Sequence, residues 1–484
     1  MRRLLRRVAV RDTAVSEALV RHHPRIVDAG LARLSNAADH SKLWVGLGAV
    51  LAASGSRRGR RAAQRGLLAV SLASAVTNGV LKPLLPRPRP PVRGEGFVSL
   101  VRRPSSSSFP SGHAASAAAF ATAVALESPA AAAPIGALAA LVAYSRISTG
   151  VHYPSDVLVG GAVGAAVAVG TTRLWPRVDP SPAEARPAWT TIGSEPTPDG
   201  AGVVIVVNAA AGPDAHAADI ATIEAALPAA RIIRVEEPAE LDDAYVEAGR
   251  SAVALGVLGG DGTISGAAAA ALDADVPLAV FPGGTLNHFA RDLGIDTVDD
   301  AIDAVRQGNL VEVDVGTIDG RVFLNTASFG GYSEFVEARH DDENRIGKWP
   351  ATAVALARVL TSGTPTTVSL DDETRTIWMI FIGNCAYDPP GFSPASRARL
   401  DDRTLDLRVI DGTAPRARLR LIAAVATGRL GRSEVYTRRL VERLAVDVGT
   451  PTATLAADGE TFDGNGSFVV TKDDRRLRTF APAD

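Results

Sequence analysis

From Leu43 to about Leu174 the chain passes through five apolar stretches rich in Ala, Val, Leu and Gly: Leu43–Ser54, Gly66–Leu81, Ala114–Leu126, Ala131–Tyr144 and Val157–Thr172. From Val203 onward the pattern changes to short β-branched runs that end in glycine-rich turns, each followed by a helix-like stretch. The first pattern predicts a bundle of apolar helices, and the second predicts the alternating strands and helices of an α/β protein. Between them, residues 176–200 are rich in Pro, Ser, Thr and acidic side chains without periodicity, which is linker composition. Residues 1–40 read as a polar, partly amphipathic helical arm. It begins Met1-Arg2-Arg3-Leu4-Leu5-Arg6-Arg7, basic like a signal peptide but without the apolar run that must follow.

A membrane-spanning helix needs roughly 20 apolar residues, with about 17 as the lower limit. None of the five runs reaches that alone, so a water-soluble bundle of Ala-rich helices is the competing reading. Five such segments in one short stretch, interrupted mainly by Ser and Thr and built from small residues, favour lipid. The basic connector Ser56-Arg57-Arg58-Gly59-Arg60-Arg61 should stay on the cytoplasmic side. The four later segments then alternate outward and inward, which places the polar loops outside and delivers Pro176 to the cytoplasm.

With 484 residues the chain is long enough for two to four domains. Its formal net charge of -2 gives no reason to expect a nucleic-acid partner. Cys385 is the only cysteine, which excludes an internal disulfide and a Cys-based zinc site.

Three polar islands lie at the ends of the predicted helices of the first half: Lys82 to Pro90 (Lys-Pro-Leu-Leu-Pro-Arg-Pro-Arg-Pro), Phe109-Pro110-Ser111-Gly112-His113, and Ser145 to Asp156. Charge at membrane depth is costly unless it serves a site. Lys82, Arg89 and Arg146 can neutralise phosphoryl oxygens, and Arg offers a planar fork for them. Ser111 with the backbone N–H of Gly112 or His113 forms a helix-start anion site. Of two histidines, one can attack phosphorus while the other protonates the leaving oxygen. Asp156, four residues past His152, can hold that imidazole in the nucleophilic tautomer. These residues resemble the type 2 phosphatidic acid phosphatases, relatives of the vanadium haloperoxidases, over roughly residues 43–172. The resemblance implies a metal-independent phosphatase with a phosphohistidine at His152 and His113 as general acid.

In the second half, Val203–Val207, Ala230–Val235, Val253–Leu258 and Leu278–Phe281 read as strands. The third opens into Gly259-Gly260-Asp261-Gly262-Thr263, and the fourth into Pro282-Gly283-Gly284-Thr285-Leu286-Asn287-His288. Two glycine-rich turns after successive strands, with Asn208 after the first strand, predict a nucleotide site at the strand C-terminal ends. No P-loop sequence follows any of the strands. These turns, with Gly212 and Asp458-Gly459-Glu460, resemble the catalytic domain of the diacylglycerol and sphingosine kinases over about residues 201–484. Supporting pieces are Val313-Asp314-Val315-Gly316, Asn325–Gly330, Asn384 and Pro394.

That resemblance implies a nucleotide-binding α/β domain followed by a β-rich domain. It assigns Asn208, Gly259, Gly260, Asp261, Gly262, Thr263, Gly284, Thr285 and Asn287 to ATP, with Mg²⁺ as cofactor. Glu460 with Asp458 would deprotonate the acceptor hydroxyl. The chain departs from the family at Ala209, at His288 and in the segment Tyr387-Asp388-Pro389-Pro390-Gly391, and His288 touches the expected metal arrangement.

The combined expectation is multidomain. An all-α membrane helical bundle (residues 41–175, after the arm 1–40) is followed by the linker 176–200, an α/β nucleotide-binding part (201–312) and a β-rich part (313–484). The expected partners are a lipid phosphate, a lipid alcohol and the membrane, with ATP and Mg²⁺ for the kinase half and no cofactor for the phosphatase half. Competing readings are a kinase for a soluble acceptor such as NAD, because NAD kinases share the Gly-Gly-Asp-Gly turn, and a nucleotide sensor with an inactive kinase half.

Overall fold

The computed structural model describes residues 12–15, 25–54, 56–90, 106–177, 181–188, 198–209, 216–284, 286–330, 365–388, 396–413, 416–427 and 429–483. Two compact units emerge, Met1–Pro180 and Ser181–Asp484.

In the first unit four of the five apolar runs lie inside longer helices, because capping and charged residues extend them, whereas Leu43–Ser54 coincides with the helix Lys42–Ala53 and its C-cap. Ser56 accepts from the Gly59 N–H (3.0 Å) and starts Arg57–Ser74, so the expected basic connector is the first turn and a half of that helix. The helical path continues through a π-helical turn, Ala75–Leu81, to Leu84. Ser111 caps Gly112–Glu127. Pro129–Ser148 and Pro154–Leu174 both open with proline in the first turn, where its missing N–H costs nothing. Three helical stretches, Arg58–Leu84, Pro129–Ser148 and Pro154–Arg173, are long and apolar enough to cross a membrane. Leu68, Leu72, Leu141, Leu158 and Val169 remain exposed on them, as lipid-facing positions would.

Small residues let these helices approach closely. A Cβ on Gly160 would fall 2.4 Å from the Ser111 carbonyl oxygen, and one on Gly164 would fall 2.0 Å from that of Ala115. This small-xxx-small face seats Pro154–Leu174 directly behind the start of Gly112–Glu127. At the opposite end, the buried Arg65 Nε pairs with Glu127 at 2.5 Å and its Nη1 donates to Thr171 (3.1 Å). Arg61 also meets Glu127 at 2.9 Å, and both guanidinium groups lie over Trp175 at 4.9 Å. The two returning helices thus offer Arg61 and Arg65 one shared carboxylate, a hydroxyl and an aromatic ring.

In the second unit the strands Arg231–Val235, Val203–Asn208, Ala254–Gly259 and Leu278–Pro282 pair in parallel, in that order. Buried Val, Ile, Leu and Ala from both faces make one core with the flanking helices. A second core, built on Phe323, Phe329, Ile380, Leu405, Leu455 and Phe468, sits within an antiparallel ladder. That ladder runs Tyr436–Val441, Leu405–Asp411, Glu373–Asn384, Thr326–Gly330, Arg443–Ala457, Glu460–Phe480. Its last strand pairs with Leu310–Ile318 and ends parallel to Leu278, so Leu477 and Phe480 at the end of that strand fill the first core. Part of the expected linker is built into this unit as well. Arg186–Pro187 pairs with Glu312 and Val311, and the Ala183 N–H donates to Asp292 O at 2.7 Å.

Candidate active sites

The three islands of the first unit meet at one end of the bundle. The Ser111 N–H donates to Asp156 O (2.9 Å) and ties the second island to the third, the Ser108 N–H just ahead of the second donates to Arg87 O (3.0 Å) of the first, and the His152 N–H donates to Arg146 O (3.1 Å) within the third. Asp156 is wholly buried. It accepts from Arg87 Nη1 (2.6 Å), the Tyr153 N–H (2.9 Å) and Ser108 Oγ. His152 Nδ1 lies 3.6 Å from Asp156 Oδ2 and makes no hydrogen bond among the described residues. A proton on Nδ1 facing that carboxylate leaves the Nε2 lone pair on the other side of the ring, where Arg89 Nη1 stands at 3.3 Å. Burial lowers the His152 pKa to about 4, so the ring is neutral at ordinary pH, as a nucleophile must be.

Arg146 is buried, and its Nε has no partner among the described residues. An unmet guanidinium donor beside imidazoles calls for an anion. A Cβ on Gly112 would lie 3.7 Å from Lys82 Nζ, so that ammonium sits at the helix start. His113 Nε2 is 2.7 Å from Asp39 Oδ1. Ser111 is fully buried and acts as helix cap to the Ala114 N–H (3.4 Å).

In the second unit the glycine turns touch. The Gly283 N–H donates to Gly259 O (2.9 Å), and a Cβ on Gly284 would fall 2.6 Å from Gly260 Cα. Asn287, in the left-handed region at φ 48°, pins its turn by accepting from the Gly284 N–H and donating to Gly284 O, both 2.8 Å. Asn208 Nδ2 donates to Thr263 Oγ1 (3.2 Å), joining the end of the first strand to the first glycine turn. Asp261 Oδ1 accepts from the Phe289 N–H (3.2 Å) and Asn325 Nδ2 (3.1 Å).

Glu460 lies over the same turn, with Oε1 only 2.2 Å from where a Gly262 Cβ would stand. Its other oxygen accepts from Arg321 Nη2 (2.8 Å). Asp458 accepts from the N–H groups of Leu324 (2.7 Å), Asn325 (2.8 Å) and Thr326 (2.8 Å) and from Ser265 Oγ. Burial pushes its carboxyl upward against those donors. With four donors on two oxygens, Asp458 fixes the turn that presents Glu460. A cavity of about 530 Å³ opens beside Glu460, lined also by Gly262, Arg321, Asp242 and Tyr245, whose buried hydroxyl has no partner among the described residues. Asp314, Cys385 and Asp402 bring ligand atoms within 4.8 Å of one another, but the Lys472 ammonium is already 3.6 Å from Asp314 and 3.3 Å from Cys385. A cation is thus built into that cluster.

The PAP2 superfamily pattern matches residues 65–179, and the diacylglycerol kinase catalytic domain pattern matches residues 202–318. The chain carries a PAP2 domain followed by a diacylglycerol kinase catalytic domain. Its similarity to an uncharacterised protein of Synechocystis is 26% identity over 235 residues, 47% of this chain and 54% of that protein, so the match spans about half of that relative's length. Similarity to the diacylglycerol kinase of Bacillus subtilis is 29% over 215 residues, 42% of this chain and 69% of that enzyme. The crystal structure of a transmembrane PAP2-type phosphatidylglycerolphosphate phosphatase from Bacillus subtilis is 28% identical, covers 34% of this chain and 83% of its own, and gives a TM-score of 0.27.

Within the PAP2 domain, Lys82, Arg89, Ser111, Gly112, His113, Arg146, His152 and Asp156 converge. Arg87, Ser108, Asp12, Ser35 and Asp39 join them without having been singled out. Arg87 Nη2 pairs with Asp12 (2.8 Å), which also accepts from the Ser155 N–H (2.9 Å), and Arg146 Nη1 donates to Ser35 Oγ. Within the kinase domain, Asn208, Gly259, Gly260, Asp261, Gly262, Thr263, Gly284 and Asn287 gather at the strand ends, with Glu460 beside Gly262. Thr285, Gly212, Pro389, Pro390, Gly391 and Pro394 lie outside the described residues.

Proposed function

We propose that this chain is a bifunctional membrane enzyme that removes a phosphate or diphosphate from one lipid and phosphorylates the hydroxyl of another with ATP. The observation that carries the hydrolase half is a buried, neutral His152, with Asp156 beyond Nδ1 and Arg89 at Nε2, in one pocket with Arg146, Lys82 and His113. In this reading Nε2 attacks phosphorus and the bond to the lipid oxygen breaks. His113 gives that oxygen its proton, while Arg89, Arg146 and Lys82 neutralise the phosphoryl oxygens. Water then attacks the phosphohistidine, His113 recovers a proton, and inorganic phosphate leaves.

In the kinase half the touching glycine turns would donate N–H groups to the ATP phosphates. Glu460 would relieve the acceptor hydroxyl of its proton from the side of the 530 Å³ cavity. Asp261 is a hard carboxylate donor on the glycine turn, of the kind Mg²⁺ takes, and would hold the ion that accompanies ATP. When bound, that ion carries part of the phosphate charge. The basic start of Arg57–Ser74 favours a cytoplasmic position for that end of the bundle, which would turn the PAP2 pocket outward.

The test is rapid quenching of the purified protein with phosphate-labelled lipid. An acid-labile, base-stable label on His152, absent from His152→Ala, is expected. Undiminished hydrolysis by His152→Ala would refute the assignment.

A further inference from the structure

The arm ahead of the bundle reaches into the PAP2 pocket. Helix Arg25–Ala37 and the turn Asp39–Ser41 carry Ser35 and Asp39, spaced by four at the end of the arm. Ser35, fully buried, accepts from the Arg146 guanidinium, and Asp39 Oδ1 meets His113 Nε2 at 2.7 Å. Packing fixes this placement from the far side of the turn. Trp44, fully buried, stacks at 5.3 Å against Phe120, which belongs to the same helix as His113. The pocket therefore holds two imidazole–carboxylate pairs in different settings. Asp156 beside His152 is wholly buried, whereas Asp39 beside His113 has a side chain 38% exposed.

We propose that Asp39 is a positioning residue of the phosphatase reaction: its carboxylate accepts a hydrogen bond from the Nε2–H of His113, fixes the ring, and leaves Nδ1–H to protonate the lipid oxygen. The inference rests on the reading of His113 as general acid. In the first step the P–O bond to the lipid breaks as the N–P bond to His152 forms, and the Nδ1 proton passes to the departing oxygen. Nδ1 regains a proton from the water that cleaves the phosphohistidine, and the Asp39–Nε2 contact is kept throughout. Burial and Arg146 hold the His113 pKa down to about 4, and the Asp39 carboxylate works against both, raising the share of the ring that carries two protons. Ser35 on Arg146 keeps the arm and the phosphate-binding cation in register.

Full-length protein in detergent micelles, without ATP, would be assayed with an alkyl lipid phosphate, whose leaving oxygen needs a proton, and with p-nitrophenyl phosphate, whose phenolate does not. For Asp39→Asn the expected result is a kcat for the lipid lower by about 10–100-fold, the scale seen on losing a partner that orients a functional imidazole. KM and the aryl phosphate rate should stay within about threefold on the same argument, and Asp39→Glu should restore most of the lipid rate. Equal loss on both substrates would mean a merely structural role and overturn the proposal. A lower KM with unchanged kcat would make the arm a plug that substrate displaces, and would overturn it too. His113→Ala, run in parallel, must separate the two substrates. If it does not, the general-acid reading itself has failed; if it does and Asp39→Asn does not, only the proposal for Asp39 has.

Discussion

His152 is buried deeply enough that its neutral form persists to about pH 4. In the proposed mechanism the neutral ring is the nucleophile, so a lowered pKa extends activity toward acid. Phosphohistidine formation, corrected for the substrate's own ionisation, should change by less than about twofold between pH 7 and 5.5. A ring at the ordinary value near 6.5 would lose roughly eightfold over that range. In the kinase domain, Glu460→Gln should lower lipid phosphorylation by about 10²–10⁴-fold, the usual contribution of a general base, with phosphatase turnover unchanged. Gly262→Ala should act on the same group, because its Cβ would collide with Glu460 Oε1 at 2.2 Å. A loss of kinase kcat without loss of thermal stability is expected, and parental kcat would show that Glu460 need not lie over that turn. Residues such as His113, His152 and Glu460 were legible in the sequence because each sits in a short motif with its own local chemistry. Asp39, Ser35 and Asp12 were not, since their partners lie 74, 111 and 75 residues away and nothing adjacent marks them.

At the scale of the elements, the glycines of Pro154–Leu174 set how close the catalytic helices come. Gly164→Val would drive a side chain into the Ala115 carbonyl, 2.0 Å from the first added carbon. Overpacking of this kind costs about 1–3 kcal/mol. It should lower the melting temperature in detergent and, by displacing the His113 helix, reduce phosphatase activity. Gly170→Ala, which meets nothing within 4 Å, should do neither. Equal effects from the two substitutions would mean that close packing does not position the site. The sequence predicted all five apolar segments, matched the length of the first (Lys42–Ala53) and undersized the other four. Apolar periodicity stops at the first charge, whereas the helix beginning at Arg57 keeps going by pairing Arg61 and Arg65 with Glu127 from the neighbouring helix. The strands before the glycine turns were legible as β-branched runs. The return of the C-terminal strand to the first core was not, because a long-range pairing such as Thr479 with Leu278 leaves no local mark.

For the whole molecule, each unit has its own core and its own candidate site, the bundle end in Met1–Pro180 and the strand ends in Ser181–Asp484. The two chemistries should therefore be separable by single substitutions at 152 and 460. The decisive measurement puts the full-length protein, His152→Ala and Glu460→Gln into lipid vesicles with labelled ATP, a total lipid extract and an added lipid phosphate. It follows both labelled lipid and released inorganic phosphate. The account predicts that His152→Ala still labels lipid but releases no phosphate from the added lipid phosphate, while Glu460→Gln does the reverse. Labelled lipid from Glu460→Gln at the parental rate, or phosphate release from His152→Ala, would contradict it.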